Sequence, residues 1–333
     1  MSNQMKAAVA VAANTPLSIR QLAIPEPSDN EVRIKVVASG VNPVDIKIAT
    51  GMAAHARQPF PSVLGIDSAG IIDKLGANVE QFAIGDHVYG MVGGIGGYQG
   101  SLAEYQVVDA DLLAKVPDEI SLKEAASIPL VFITAWEGLV DRANVSKNMT
   151  VLIHGGAGGV GQMAIQIAKA HGATVFATGT AKHAAFIRNL GAIPIDYTKE
   201  SVEHYVREYT NGEGFDIIYD TVGGEVLDNS FRAVKTYSGH VVSCLGWGTH
   251  SIAPLSFRGA TYSGVFTMLP IQSGNARKHH GFIMSQATEM LRNGTLRVQQ
   301  EATVYTLDDV NDVYQRVIAG KTTGKLAIEI APE

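Results

Sequence analysis

Along the first third of the chain, apolar residues fall in short runs of the length and composition that suit strands. Residues 6–12, 31–41, 64–72 and 87–91 are rich in Val, Ile and Ala. Turns such as Pro25-Glu26-Pro27-Ser28 and Gly76-Ala77-Asn78 separate them. Residues 93–100 hold five glycines in eight positions, which predicts a flexible loop. After about residue 122 the rhythm changes. Strands are expected at 151–154, 174–178, 193–196, 216–219, 241–245 and 261–266, with helices from 160, over 182–190 and near 201–210. Such alternation implies a parallel sheet covered by helices on both faces, an α/β doubly wound domain. Beyond residue 269 the pattern predicts a helix over 287–292, a strand-like stretch at 299–305, a helix over 307–319 and a last strand at 326–330.

Composition narrows the classes. With 46% hydrophobic and 17% charged residues among 333, the chain reads as globular and long enough for two domains. A net charge of -6 argues against a nucleic-acid partner, which needs a basic face. The single cysteine, Cys244, leaves no disulfide framework and no multi-cysteine zinc site, and suits a reducing cytoplasm. The first thirteen residues lack the pattern of a signal peptide and read as a strand. The uncharged stretches 87–103 and 238–257 are both interrupted by polar residues and glycine, so no membrane span is expected.

The most informative local pattern is Val151-Leu152-Ile153-His154-Gly155-Gly156-Ala157-Gly158-Gly159-Val160-Gly161. Gly156, Gly158 and Gly161 form G-x-G-x-x-G between an apolar strand and a helix that carries Val160, Met163, Ala164, Ile167 and Ala168 on one face. In that context the glycines permit a tight turn, close approach of a pyrophosphate and close helix–strand packing. The helix N-terminus offers free N–H groups to phosphate oxygens. The same glycines satisfy the short-chain dehydrogenase spacing through Gly155, Gly159 and Gly161. None of the eleven tyrosines, however, has a Lys four residues on, and that reading fails.

An NAD site usually carries an acidic residue at the end of the second strand. No acidic residue lies between Asp141 and Asp196. The strand ends instead in Gly179-Thr180-Ala181-Lys182-His183, which leaves room and positive charge for a 2′-phosphate. NADPH is the expected cofactor.

The chain resembles the medium-chain dehydrogenase/reductase superfamily, and within it the zinc-free quinone oxidoreductase (zeta-crystallin-like) branch. The resemblance runs nearly end to end. It is carried by Gly40-Val41-Asn42-Pro43-Val44-Asp45, Gly65-Ile66-Asp67-Ser68-Ala69-Gly70, Gly85-Asp86-His87-Val88 and Thr134-Ala135-Trp136. Further matches are the run from His154 to Gly161, Asp220-Thr221-Val222-Gly223-Gly224 and Gly324-Lys325-Leu326. It implies a Rossmann domain, residues 126–267, inserted in a mostly β GroES-like catalytic domain formed by 1–125 and 268–333, with a cleft between them. Zinc-dependent relatives would carry Cys in place of Asn42 and His-Glu in place of Ile66-Asp67, so no metal is expected. Without a Lewis acid, hydride delivery suits an acceptor that is already electrophilic, a quinone or the β-carbon of an enone.

The resemblance also implies residue roles. Asn42 and Thr134 would lie by the nicotinamide, with Asp45 bracing that loop. Gly158, Gly159 and Val160 would offer N–H groups to the pyrophosphate. Gly179, Thr180, Lys182 and Tyr197 would surround the 2′-phosphate, Leu245 and Phe266 would flank the nicotinamide, and Lys325 would reach the cofactor. Ala49-Thr50-Gly51-Met52-Ala53 departs from the Arg-x-Gly-x-Tyr of many members, which removes a tyrosine proton donor from the substrate mouth.

Other residues are read more plainly. His154 is a packed strand-end histidine, Cys244 a small core residue, and His279-His280 a surface pair. Asp220 either braces the loop or serves the ligand. Two alternatives stay open: an enoyl-thioester reductase, for which Arg57, Arg258 and Arg277 could meet a carrier phosphate, and an NADPH-binding structural protein with little turnover. The uncharged stretch 260–266 lacks the charges that protect a sheet edge and predicts a homodimer.

Overall fold

The computed structural model describes residues 3–332; the first two residues of the expected N-terminal strand, and Glu333, lie outside that range. The chain forms two compact units, Met1–Leu130 with Met268–Glu333, and Val131–Thr267.

The first unit is built on a seven-stranded sheet. Its strands run in the order Tyr305–Thr306, Leu326–Glu329, Glu31–Val41, Asp67–Leu75, His87–Met91 and Leu113–Lys115, and Tyr105–Asp109 also pairs with Glu31–Val41. A smaller antiparallel sheet joins Ser18–Ala23, Gln4–Ala10 and Ser62–Val63. The long strand Glu31–Val41 shifts register between Arg33 and Ile34 and again between Val36 and Ala38. One residue before its end stands Gly40, where a Cβ would lie 2.0 Å from the Ala126 carbonyl oxygen. Pro43 then opens the helix Pro43–Ala49, as its fixed φ and missing N–H allow at a first helical position.

Several elements differ from the sequence reading. Of the run 64–72 only the part from Asp67 is strand, within Asp67–Leu75, because Gly65 takes φ +101° and turns the chain just after the short strand Ser62–Val63. The helix at 287–292 extends over Arg277–Arg292, with Ile283, Met284, Ala287, Met290 and Leu291 buried. His280 belongs to that buried face and is fully enclosed, so the expected surface pair is half wrong. Residues 299–305 form no continuous strand; only Tyr305–Thr306 and a single bridge from Gln300 to Lys325 pair. The glycine stretch 93–100 is knit in place rather than loose. Gly96 N–H donates to Ala56 O (2.9 Å), Gly100 N–H to Val63 O (2.9 Å), and a Cβ on Gly93 would meet Gln99 O at 2.0 Å.

The second unit is a parallel six-stranded sheet in the order Ile193–Asp196, Thr174–Gly179, Thr150–Ile153, Ile217–Asp220, His240–Ser243 and Thr261–Gly264. Numbered along the unit this is 3-2-1-4-5-6, the doubly wound dinucleotide-binding order. Its core includes Leu152, Phe176, Ile195, Phe215, Ile218 and Phe231, with Phe176 and Phe215 edge-on at 5.5 Å. The helix expected over 182–190 starts later, as a short 3-10 turn Ala181–His183 leads into Ala184–Asn189. The last two strands stop at Ser243 and Gly264, so Leu245 and Phe266 lie in the segments that follow them. The helix Pro129–Trp136 and the π-helical turn Glu137–Arg142 escaped the sequence reading. Phe132, Ile133, Ala135, Trp136 and Leu139 are all buried there, so no amphipathic period exists to be read. Among the described residues no helix is long and apolar enough to cross a membrane.

A candidate nucleotide-binding site

The strand Thr150–Ile153 delivers the chain into the glycine turn at the point where the strand order reverses. Gly155 adopts φ +70°, open to glycine at no steric cost. A Cβ on Gly156 would lie 2.6 Å from the Ala177 Cβ, and one on Gly161 2.1 Å from Gly155 O, so both glycines are demanded by packing. Gly158 is different: its Cβ would meet only Gly155 O, at 3.2 Å. Thr178 clamps the turn from the next strand, its hydroxyl accepting from Gly155 N–H (3.1 Å) and its carbonyl from Gly156 N–H (2.9 Å). Nothing in the sequence marked that threonine.

The helix Gly159–Ala170 follows directly, capped by Gly158 in an extended conformation. The Gly158 N–H turns back onto Gly155 O (2.9 Å). Of the three expected phosphate donors, Gly159 and Val160 are therefore the ones set at the helix start, where N–H groups have no intrahelical acceptor.

A cavity of about 900 Å³ opens over the carboxyl ends of these strands. Gly158, Gly179 and Tyr197 of the expected set line it, together with His154, Thr178, His183, Tyr205, Thr221 and Val222. Lys182 is exposed and is not among the lining residues; its neighbour His183 is, paired through Nδ1 with the Thr180 hydroxyl at 3.2 Å. Burial, with Lys182 beside it, lowers the His183 pKa, which favours the neutral imidazole. A Cβ on Gly179 would meet Ile187 Cδ1 at 2.9 Å and His183 Cβ at 3.3 Å, so this glycine also answers to packing. Glu200, Glu203 and Glu225 bring carboxylates to the same wall.

The side chains around the turn divide by role. His154 is buried beside Thr178 (Nδ1 to Oγ1, 3.3 Å), and burial lowers its pKa to about 4 against the pull of Asp220. Asp220 accepts from Val222 N–H (3.0 Å), Gly223 N–H (2.9 Å) and the Ser243 hydroxyl (2.7 Å), so it braces the loop after its strand. Burial pushes the Cys244 thiol up to about 12, which leaves it protonated and inert. Thr134, on the helix Pro129–Trp136, is 3.0 Å from the Thr267 hydroxyl, and its carbonyl accepts from Tyr219 OH (2.5 Å).

In the first unit, Asn42 is fully buried at the end of Glu31–Val41. Its Nδ2 donates to Asp67 (2.8 Å) and its Oδ1 accepts from the Lys325 ammonium (2.6 Å). Lys325 also donates to Val41 O (3.2 Å), so two of its three protons are spent inside this unit. Asp45 accepts from the N–H groups of Asn42 (2.8 Å) and Ile66 (3.1 Å), tying the two motif segments together. Asp67, which the sequence reading left without a role, further accepts from Leu130 N–H (2.9 Å). Burial pushes Asp45 up to about 7 and Asp67 up to about 6, the latter opposed by Lys325 and Asn42. Among the described residues no group of three or more His, Cys, Asp and Glu could hold a metal ion.

Comparison with known proteins agrees with this architecture. Residues 28–118 match the alcohol dehydrogenase GroES-like domain, and 159–276 the zinc-binding dehydrogenase family. The 2-methylene-furan-3-one reductase of Solanum lycopersicum is 34% identical over 322 residues, covering 93% of this chain and 74% of the relative. The chloroplastic NADPH-dependent alkenal/one oxidoreductase of Arabidopsis thaliana is 38% identical over 244 residues, 71% of this chain and 60% of the relative. The solved structure of an alcohol dehydrogenase superfamily protein from Novosphingobium aromaticivorans matches with a TM-score of 0.96 at 48% identity, covering 98% of this chain and all of that one. With its doubly wound sheet, glycine turn and GroES-like sequence, the chain belongs to the medium-chain dehydrogenase/reductase superfamily as a quinone oxidoreductase-like protein.

Proposed function

We propose that the protein uses NADPH, without a metal, to reduce α,β-unsaturated carbonyl compounds and quinones. The observation that carries this reading is the Asn42 amide held between Asp67 and the Lys325 ammonium. Zinc fits poorly there. The amide nitrogen is a donor already committed, the ammonium stands 2.6 Å from the amide oxygen, and Ile66 has no donor atom for a metal. A divalent cation would have to displace a buried ammonium. With no Lewis acid, the acceptor must carry its own electrophilic carbon, as an enone or quinone does.

The bound nicotinamide would supply a hydride. An enone would gain it at the β-carbon together with a solvent proton at the α-carbon, and a quinone would gain it with a proton to become a hydroquinone. The chain would hold the pyrophosphate with Gly159 and Val160 N–H groups at the helix start. Thr180, Lys182, His183 and Tyr197 would meet the 2′-phosphate, and the absence of a strand-end carboxylate supports NADPH over NADH. The names of the tomato and Arabidopsis relatives support the substrate class.

The enoyl-thioester alternative is weakened by where two of its three arginines go. Arg277 donates to Asp109 (2.8 Å) and Ile271 O (3.0 Å) and lies over the Tyr98 ring, and Arg258 donates to Val234 O (2.9 Å). The test is NADPH oxidation with a naphthoquinone, an alkenone and a crotonyl thioester. Turnover of the first two is expected. Activity confined to the thioester, or none with any of the three, would overturn the proposal.

A further inference from the structure

The strand Thr174–Gly179 runs into a tight turn that carries His183 onto the cavity wall. Thr180 opens the turn in an extended conformation, and the His183 N–H donates back to Thr180 O (2.8 Å). The Thr180 hydroxyl pairs with Nδ1 of the ring (3.2 Å), and a Cβ on Gly179 would stand 3.8 Å from the same nitrogen. The Nδ1 edge therefore faces the strand end. The other nitrogen, Nε2, has no hydrogen-bond partner among the described residues, and the ring is half-buried at the wall. Lys182, one residue earlier, is exposed and off that wall.

A hydroxyl can donate or accept, which lets Thr180 serve the ring in either charge state. It can donate to Nδ1 of a neutral imidazole, leaving the proton on Nε2, or turn and accept from Nδ1–H of an imidazolium. In both cases Nε2 presents N–H to an anion. A phosphate monoester has its second pKa at about 6, so a 2′-phosphate is close to a dianion at neutral pH. Beside it an imidazolium gains a charge-assisted hydrogen bond that the 2′-hydroxyl of NAD+ does not offer. We propose that His183 is a cofactor-specificity residue, its Nε2–H donating to the 2′-phosphate while Thr180 holds Nδ1, so that NADP+ binding brings a proton onto the ring. This rests on the NADPH reading above. Without cofactor, burial and then Lys182 hold the ring toward its neutral form. The other charged or titratable groups around it are Arg188 on the helix Ala184–Asn189, Tyr197, Glu200, Glu203 and Tyr205 beyond the strand Ile193–Asp196, and Glu225 and His154. Burial has already lowered the His154 pKa to about 4, so that ring does not gain or lose a proton near neutral pH.

Calorimetry on the full chain measures NADP+ and NAD+ binding over a series of pH values. Two buffers of different ionisation enthalpy at each pH give the protons taken up, and thermal melts establish that each variant is folded. At about pH 7 the wild type should take up more than about half a proton with NADP+ and clearly fewer with NAD+. Its preference for NADP+ should fall about fivefold between about pH 7 and about pH 8.5, a range in which the phosphate itself stays a dianion. His183→Gln keeps a neutral N–H donor but cannot take the proton. Its uptake should vanish and its preference become flat, meeting the wild-type value near the upper end of that range. Lys182→Ala should weaken NADP+ at every pH yet keep the uptake, displaced to higher pH because the charge opposing the imidazolium is gone. No extra proton taken up with NADP+ by the wild type, or a pH slope that survives in His183→Gln, overturns the proposal while a preference for NADP+ stands. A wild type with equal affinity for both cofactors at every pH overturns the NADPH reading, and the proposal goes with it.

Discussion

The three glycines of the turn should separate into two kinds when each is replaced by alanine. Carbon atoms rest about 3.5–4.0 Å apart. The new methyl in Gly156→Ala would stand 2.6 Å from Ala177 Cβ, on a neighbouring strand that cannot rotate away, a deficit of about 1 Å. In Gly161→Ala it would stand 2.1 Å from a backbone oxygen, which is worse. Overpacking of this kind costs about 1–3 kcal/mol, and more where backbone must move. Each kcal/mol lowers Tm by about 2–4 °C in a domain of comparable size. Gly158→Ala meets a single atom at 3.2 Å, at φ -75° where alanine is unstrained, so its Tm without cofactor should stay within about 2 °C of wild type. Its methyl, however, enters the cavity wall where phosphate must approach the helix start. NADPH affinity should fall at least about tenfold, roughly 1.4 kcal/mol. Thermal melts without cofactor and titration of NADPH fluorescence measure the two quantities separately. The reasoning is refuted if Gly158→Ala melts as early as Gly161→Ala, or if it melts normally and binds NADPH as the wild type does.

Other expectations follow from the same geometry. Lys182→Ala should reduce a preference for NADPH over NADH, expected at about ten- to hundredfold, while changing NADH kinetics little; kcat/KM for both cofactors measures it. Elemental analysis should find no stoichiometric zinc, and chelator should leave activity intact; one tightly held zinc whose removal abolishes turnover would contradict the proposed chemistry. Asp45 and Asp67 have folded pKa values raised above those of the unfolded chain, so the folded state holds the extra protons. Their contribution to stability should therefore decline as pH rises from about 4 to about 7 and then level off. Tm measured against pH for wild type and Asp67→Asn should show a difference that changes over the lower part of that window; a constant difference would show that Asp67 does not titrate there. The edge strand Thr261–Gly264 is uncharged and exposed at Thr261, Tyr262 and Gly264. The N–H groups of Thr261 and Val265 bond inward to the next strand, so that of Gly264 faces the edge; light scattering is expected to report a dimer, and Gly264→Pro a monomer, while a wild-type monomer at micromolar concentration would contradict edge pairing.

What the sequence determined by itself was the part of the molecule with short-range causes. The glycine turn, the strand before it and the alternation after residue 122 are legible because steric demand and hydrophobic period act over a few residues. The identity of Asn42 and Ile66, set against the zinc-dependent relatives, likewise carried the expectation of a metal-free site. Elements buried on all sides, such as Pro129–Trp136, carry no period, and the helix Arg277–Arg292 was shortened because a buried histidine reads like a surface one. Only the tertiary structure decided which polar groups meet. Lys325 finds Asn42 across 283 residues, and Thr267 finds Glu137 across 130. It also turned the Gly158 N–H inward and put His183 rather than Lys182 on the cavity wall. Hydrogen-bond partners are chosen by geometry at about 3 Å, and that geometry is set by sheet order and packing between segments distant in the chain, about which local composition is silent.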